Sequence, residues 1–190
     1  WNSFTIIIRN LEKKKELPKN IYLENYFDDQ RFGNKLNTHL IGKYIVKKDF
    51  KAACELAGLN ANGKDYIGEL RKQQRRLLRF YISSYQSYLF NKILSKYLEN
   101  FGHYKIEYKL GKLNISKENL ENFEIPLISF DANFGNKIKK ISENILEEEK
   151  ISLNDFVIKE MPELINETVY RKAFVEVKNI KYQFSLFLSY

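Results

Sequence analysis

Residues 67–101 contain no proline and only one glycine, Gly68, at their start. So long a stretch without a breaker, with apolar residues recurring every three or four positions, is read as helix. One long helix, or two joined at a kink, is therefore the expected spine of the fold. Its expected buried face is Leu70, Leu77, Phe80, Ile82, Tyr85, Leu89, Phe90, Ile93 and Leu94. The first half is strongly basic, and Arg71, Lys72, Arg75, Arg76 and Arg79 recur at spacings that put most of them on one side.

The remaining segments are arranged around that spine. Residues 4–11 alternate and are rich in β-branched side chains, which predicts a strand, and a polar connector with Pro18 follows. Residues 36–45 and 50–57 carry helical spacing, the second with Ala52, Ala53, Leu56 and Ala57 on one small face before Gly58 stops it. Residues 59–65 form a break with Asn62-Gly63 turn chemistry. Residues 104–113 alternate like a strand and are expected to pair with 124–130; helix is expected again over 133–149, then a short element ending at Met161-Pro162. Residues 173–190 look like a hairpin turning at Lys178-Asn179. Strands bracketing a helix-rich middle predict an α+β fold, with the middle inserted into a sheet.

Several functional classes can be set aside. No run of about 18 apolar residues exists, which excludes a membrane-spanning helix by pattern, and no signal peptide is visible. Cys54 is the only cysteine, so no intrachain disulfide forms, and His39 and His103 lack ligand-like spacing. A cytoplasmic, metal-free protein is the expectation. Both ends, "WNSFTIIIR" and "FSLFLSY", look cut inside structure, as in a piece of a longer chain. The net charge of +8 leans toward a polyanion, since lysine and arginine gain affinity by displacing counterions, although a Lys-, Asn- and Ile-rich composition would carry it too.

Most chemistry-like signals are better read as structure. Gly63-Lys64-Asp65 lacks the rest of a phosphate loop and follows no strand, so it is a turn. Cys54 sits on the small apolar face, and the acid run 147–149 ends a helix as solvated surface. Asp28 and Asp29 are neighbours, and adjacent carboxylates seldom converge on one substrate atom. The basic helix interleaves its cations with Tyr81, Tyr85 and Tyr88, a pattern open to two readings: phosphate binding with base stacking, or a charged face over an aromatic core.

Five segments carry a more specific signal. "NYFDDQRFG", residues 25–33, resembles the N-Y-F-G-x-Q-R-F-G signature of the TruD family of tRNA pseudouridine synthases. In the same order, "WNSF" resembles its N-x-F segment, "RFYISSYQSYLFN" its R-x-x-x-S-A-x-Q-S-x-x-F-N helix, and "IPLISFD" its I-P-L-I-G-F-D run, with "FSLFLSY" a weak echo of the family's terminal segment. Trp1, Asp28, Ser84 and Ser129 depart from that pattern, which usually has Gly, Gly, Ala and Gly at those places.

The resemblance implies a fold in which residues 1–20 belong to a catalytic domain, 21–172 form an inserted TruD domain and 173–190 return to the first. It implies isomerisation of uridine 13 in the D arm of tRNA to pseudouridine, without cofactor, by a monomer whose partner is tRNA. Phe4 would stack on the target base and Asn2 would position the catalytic group, while Gln30 and Arg31 would face the RNA. Arg71, Arg75, Arg76 and Arg79 would contact phosphates, with a structural place in the helix motif as the alternative for Arg79. The family's reactive Asp lies in a G-x-K-D-x-x-A-V-T-x-Q motif preceding N-x-F; no such motif occurs here, and Asp65 lacks its continuation. The chain alone is therefore expected to be inactive. The alternative is a non-catalytic RNA-binding or assembly module of the same fold.

Overall fold

The computed structural model describes residues 21–61 and 63–178. Six strands and five α-helices appear in the order β1 (Ile21–Glu24), α1 (Thr38–Val46), α2 (Phe50–Ala57), α3 (Tyr66–Arg71), α4 (Arg75–Leu98), β2 (His103–Tyr108), β3 (Gly111–Ser116), β4 (Glu124–Leu127), α5 (Lys139–Glu149), β5 (Val169–Lys172) and β6 (Phe174–Val177). Helices mixed with small antiparallel sheets make this an α+β fold, as the sequence predicts.

The spine is present but divided. Residues 71–76 are all polar, so a continuous helix through them would bury nothing, and backbone hydrogen bonding alone is marginal over so short a stretch. The chain accordingly leaves the helix after Lys72 and re-enters with Gln74 extended at φ −57°, ψ 129°. The interruption resets the phase of the buried face: Leu78 is buried, whereas Leu77 is 37% exposed. Beyond it Ile82, Tyr85, Leu89, Phe90, Ile93 and Leu94 are buried as expected, and Phe80 is half-buried.

Helix α1 crosses α4 at very close range. A Cβ on Gly42 would stand 2.0 Å from the Tyr81 carbonyl oxygen, so only glycine allows this crossing. Helix α2 is capped as its sequence suggests, with the Asp49 carboxylate accepting from the Ala52 amide and Gly58 closing it at φ 72°.

The strand pairing differs from expectation. Residues 103–116 close on themselves as the β2–β3 hairpin around Lys109-Leu110, with Gly111 at φ 130° permitting the turn. Local closure costs little chain entropy. Strand β4 pairs instead with β5, where Pro126, lacking an N–H, lies opposite Tyr170 in a two-stranded sheet that spares it a second neighbour. The predicted helix over 133–149 begins only at Lys139, because Asn133, Gly135 and Asn136 are poor helix formers. The first half of the predicted 173–190 hairpin is β6, which pairs with β1; the second half and the strand over 4–11 lie outside the described residues. The β1–β6 pair sets Ile21 opposite Val177, so the described region begins and ends side by side.

Candidate nucleic-acid interface

The loop 25–33 is short, polar and aromatic, and its shape comes from the helix beneath it. Asp29–Phe32 make one 3₁₀ turn, Phe32 is fully buried, and Gly33 turns the chain at φ 74°. A Cβ there would meet the Thr38 methyl at 2.7 Å. Three buried polar side chains of α4 hold the loop. The Asn91 amide pairs with both backbone groups of Phe27, accepting from its N–H at 2.9 Å and donating to its carbonyl at 2.8 Å. The Ser84 hydroxyl donates to the Arg31 carbonyl at 2.9 Å and lies 2.8 Å from the Thr38 hydroxyl. The Ser87 hydroxyl accepts from Arg31 Nε at 3.0 Å. Gln86, from the same face, donates to the Ile128 carbonyl of the "IPLISFD" segment. The loop and helix signatures are thus one interlocked structure.

The departures from the family pattern have local explanations. Asp28 has φ −83°, which any L residue adopts, so no glycine is required. Ser84 supplies the bond to Arg31, and the buried Ser129 hydroxyl donates to the Asn166 carbonyl at 2.5 Å. Trp1 lies outside the described residues, as do Asn2 and Phe4.

On its outer side the loop meets the β2–β3 hairpin. The Tyr26 hydroxyl donates to the Asn114 carbonyl at 2.7 Å, and Asp29 lies 3.7 Å from the Lys109 ammonium. Asp28 and Gln30 are exposed. Neither acid forms an ion pair with Arg31. Its guanidinium is half-buried instead, 5.4 Å from the Phe27 ring centre and 5.6 Å from that of Phe80. Arg171, from β5, approaches the same Phe27 ring at 4.2 Å and donates to the carbonyl and side-chain oxygens of Asn25. Burial lowers the pKa of both guanidiniums, and the charge of Arg31 lowers that of Arg171 further. Sequence reasoning missed Arg171, because nothing in "VYRKAF" signals that the chain returns to this loop.

The basic strip is exposed and converges on one segment. Arg75 and Arg79 both donate to the Glu163 carbonyl, at 2.9 and 3.1 Å, and Arg71 donates to the Glu160 carbonyl at 2.7 Å with the Glu163 carboxylate 3.8 Å away. Arg76 is exposed and has no hydrogen bond or ion pair to the described residues. Bonds to carbonyls leave the positive charge of Arg75 and Arg79 unneutralised. Arg71 stands on α3, so the strip spans the helix break.

Other residues resolve as structure. The Asp65 carboxylate caps α3 by accepting from the Gly68 amide, and the buried Cys54 thiol, its pKa raised by burial, lies 3.4 Å from the Tyr66 carbonyl. Glu149 corrects the reading of the acid run as solvated surface: it is only 7% exposed, with Lys43 at 2.6 Å, Lys92 at 2.9 Å and the Tyr85 hydroxyl at 3.3 Å. Burial raises its pKa, and the two ammonium groups outweigh that and bring it below the ordinary carboxylate value. His39 is buried against Tyr88 and Phe32, with its pKa lowered by burial to about 4. Among the described residues no group of three His, Cys, Asp or Glu could hold a metal, and no helix is long and apolar enough to cross a membrane.

Comparison with known proteins agrees with the motifs. The family model described as tRNA pseudouridine synthase D (TruD) matches residues 1–57 and 55–109. A protein of Nanoarchaeum equitans named "Probable tRNA pseudouridine synthase D" is 28% identical, over 83% of this chain and 53% of its own length. One of Thermococcus sibiricus with the same name is 26% identical, over 97% of this chain and 62% of its own. The chain spans about half the length of the curated relatives it matches. A TruD crystal structure from Methanosarcina mazei shares the fold, with a TM-score of 0.58 at 22% identity, covering 79% of this chain and 51% of that one. With a family match that runs over more than half of its residues, the chain belongs to the TruD family, that of tRNA pseudouridine synthase D.

Proposed function

We propose that this chain is the RNA-holding part of a tRNA pseudouridine synthase that isomerises uridine 13 of the D arm, with the reactive carboxylate supplied by a segment outside these residues. The observation that carries the reading is the interlock of loop 25–33 with α4: the two signature segments grip each other through Asn91, Ser84 and Ser87 while Gln30 is exposed and the half-buried guanidinium of Arg31 has only its Nε bonded to the helix. A uridine must leave its stack to be isomerised, at a cost of a few kcal/mol, and aromatic and cationic surfaces recover part of it. Phe4 would stack on the extruded base, Asn2 would position the reacting group, and Gln30 and Arg31 would bind the adjoining RNA. Arg71, Arg75, Arg76 and Arg79 would add phosphate contacts, Arg76 most freely.

The β1–β6 pair supports the domain reading, in which 21–172 is inserted between 1–20 and 173–190, because a domain inserted in another must leave it and return at neighbouring points. A monomer working in the cytoplasm without a cofactor completes the proposal. The test is pseudouridine formation in an unmodified tRNA transcript by a protein that extends this chain upstream through a G-x-K-D-x-x-A-V-T-x-Q segment. Conversion of uridine 13 is the expected result; conversion of another uridine would correct the substrate position, and none would refute the reading.

A further inference from the structure

The Phe27 ring carries two guanidiniums, those of Arg31 and Arg171, at 5.4 and 4.2 Å from its centre. Neither has a carboxylate within ion-pair distance among the described residues. The omission is notable because the loop holds two acids within three residues of Arg31: Asp29 is turned toward Lys109 and Asp28 points into solvent. Burial acts against both cations, and the charge of Arg31 acts further against that of Arg171. A pair that served packing alone would gain from a neighbouring carboxylate; two half-buried like charges without one are stable when an anion joins them.

The free donors match a phosphate. Among the described residues Arg31 uses Nε on Ser87 and has no acceptor at either terminal nitrogen, and Arg171 uses Nε and Nη2 on Asn25 and has none at Nη1. Each guanidinium is held by a ring face and a fixed hydrogen bond, so little side-chain freedom remains to be lost on binding. We propose that Arg31 and Arg171, set on Phe27, form a two-armed clamp for one phosphodiester of the bound RNA, with Arg171 as the second arm. The proposal rests on the RNA reading above and adds to it a residue from the opposite end of the chain, brought in by β5.

The test is binding of an unmodified tRNA transcript over a potassium chloride series, with the full chain, R171Q and R171K. R171Q should weaken binding about tenfold and lower the slope of log affinity against log salt by about one. R171K, keeping the charge and losing the fork, should keep the slope and lose part of the affinity. Equal affinity and slope in folded R171Q would overturn the clamp and leave the function standing; no binding by the unaltered chain would overturn both. Should R171Q fail to fold through loss of its Asn25 bonds, the Nε–H resonances of Arg31 and Arg171 in the unaltered chain decide. Both should move when the transcript is added, and unmoved signals refute the clamp.

Discussion

The start and the middle of α4 treat polar side chains in opposite ways. In its middle Ser84, Gln86, Ser87 and Asn91 are buried, and each is committed to particular atoms of another segment. At its N-terminal end Arg75, Arg76 and Arg79 are exposed, and among the described residues their hydrogen bonds go to one carbonyl, that of Glu163, from Arg75 and Arg79. A buried polar group that loses its partner retains the full cost of desolvation, whereas an exposed one turns to water. The first region should therefore be intolerant of change for structural reasons. The second is free to vary in stability terms, so any effect there reports on function.

The largest expected effect lies where α1 meets the committed half. Gly42→Ala would drive a Cβ into the Tyr81 carbonyl and should cost about 3 kcal/mol by chemical denaturation. A variant as stable as the parent would mean that the helices separate easily and that the contrast is overstated.

Acid should expose the same region. The folded-state pKa of His39, about 4, lies below its unfolded value near 6.5. Neutral His39 is thus favoured in the fold: stability is complete above pH 6.5, declines as the pH falls toward 4, and levels off below it. The loss amounts to about 3 kcal/mol. Glu149, whose folded pKa is also lowered, has the same sign and adds its loss below the ordinary carboxylate range. In His39→Phe the decline between pH 6.5 and 4.5 should disappear, at little cost at neutral pH, since His39 Nδ1 has no partner. A parent stability that is flat down to pH 4.5 would refute the assignment.

Asn91→Leu keeps the branching of the side chain and leaves the Phe27 N–H and carbonyl unpaired, for an expected loss of about 2 kcal/mol. Asn91→Asp keeps one bond and sets a carboxylate against the Phe27 carbonyl, so it should do no better. At the small end, Arg76→Gln should change stability by less than about 0.5 kcal/mol. It should nonetheless weaken tRNA binding and reduce its salt slope by about one. A stability loss there without a binding effect would reverse the roles given to the two stretches.

How much of this was legible in the sequence follows the same division. Helices α2 and α4 were readable because periodicity, the Gly58 stop and freedom from breakers are local signals. That the spine could divide was readable, but the place of the break, 72–74, was hidden, since no glycine or proline marks it and only the absence of anything to bury makes it open. Strand partners were misread because pairing depends on which ends the fold brings together, as in β4 with β5 across more than forty residues. Around the loop, motif spacing singled out Gln30 and Arg31 as candidates. Arg171 and the burial of Glu149 depend on contacts from distant segments that no spacing records.

The central claim is that these residues hold tRNA and lack the group that reacts with it. Its most direct test is one sample read twice: the 190-residue chain mixed with an unmodified tRNA transcript, assayed for binding and, after prolonged incubation, for pseudouridine. The account predicts salt-dependent binding with no conversion. Conversion by the chain alone would contradict it, and would place the reacting carboxylate among acids assigned here to structure, with Asp28, Asp29 and Asp65 the first to replace.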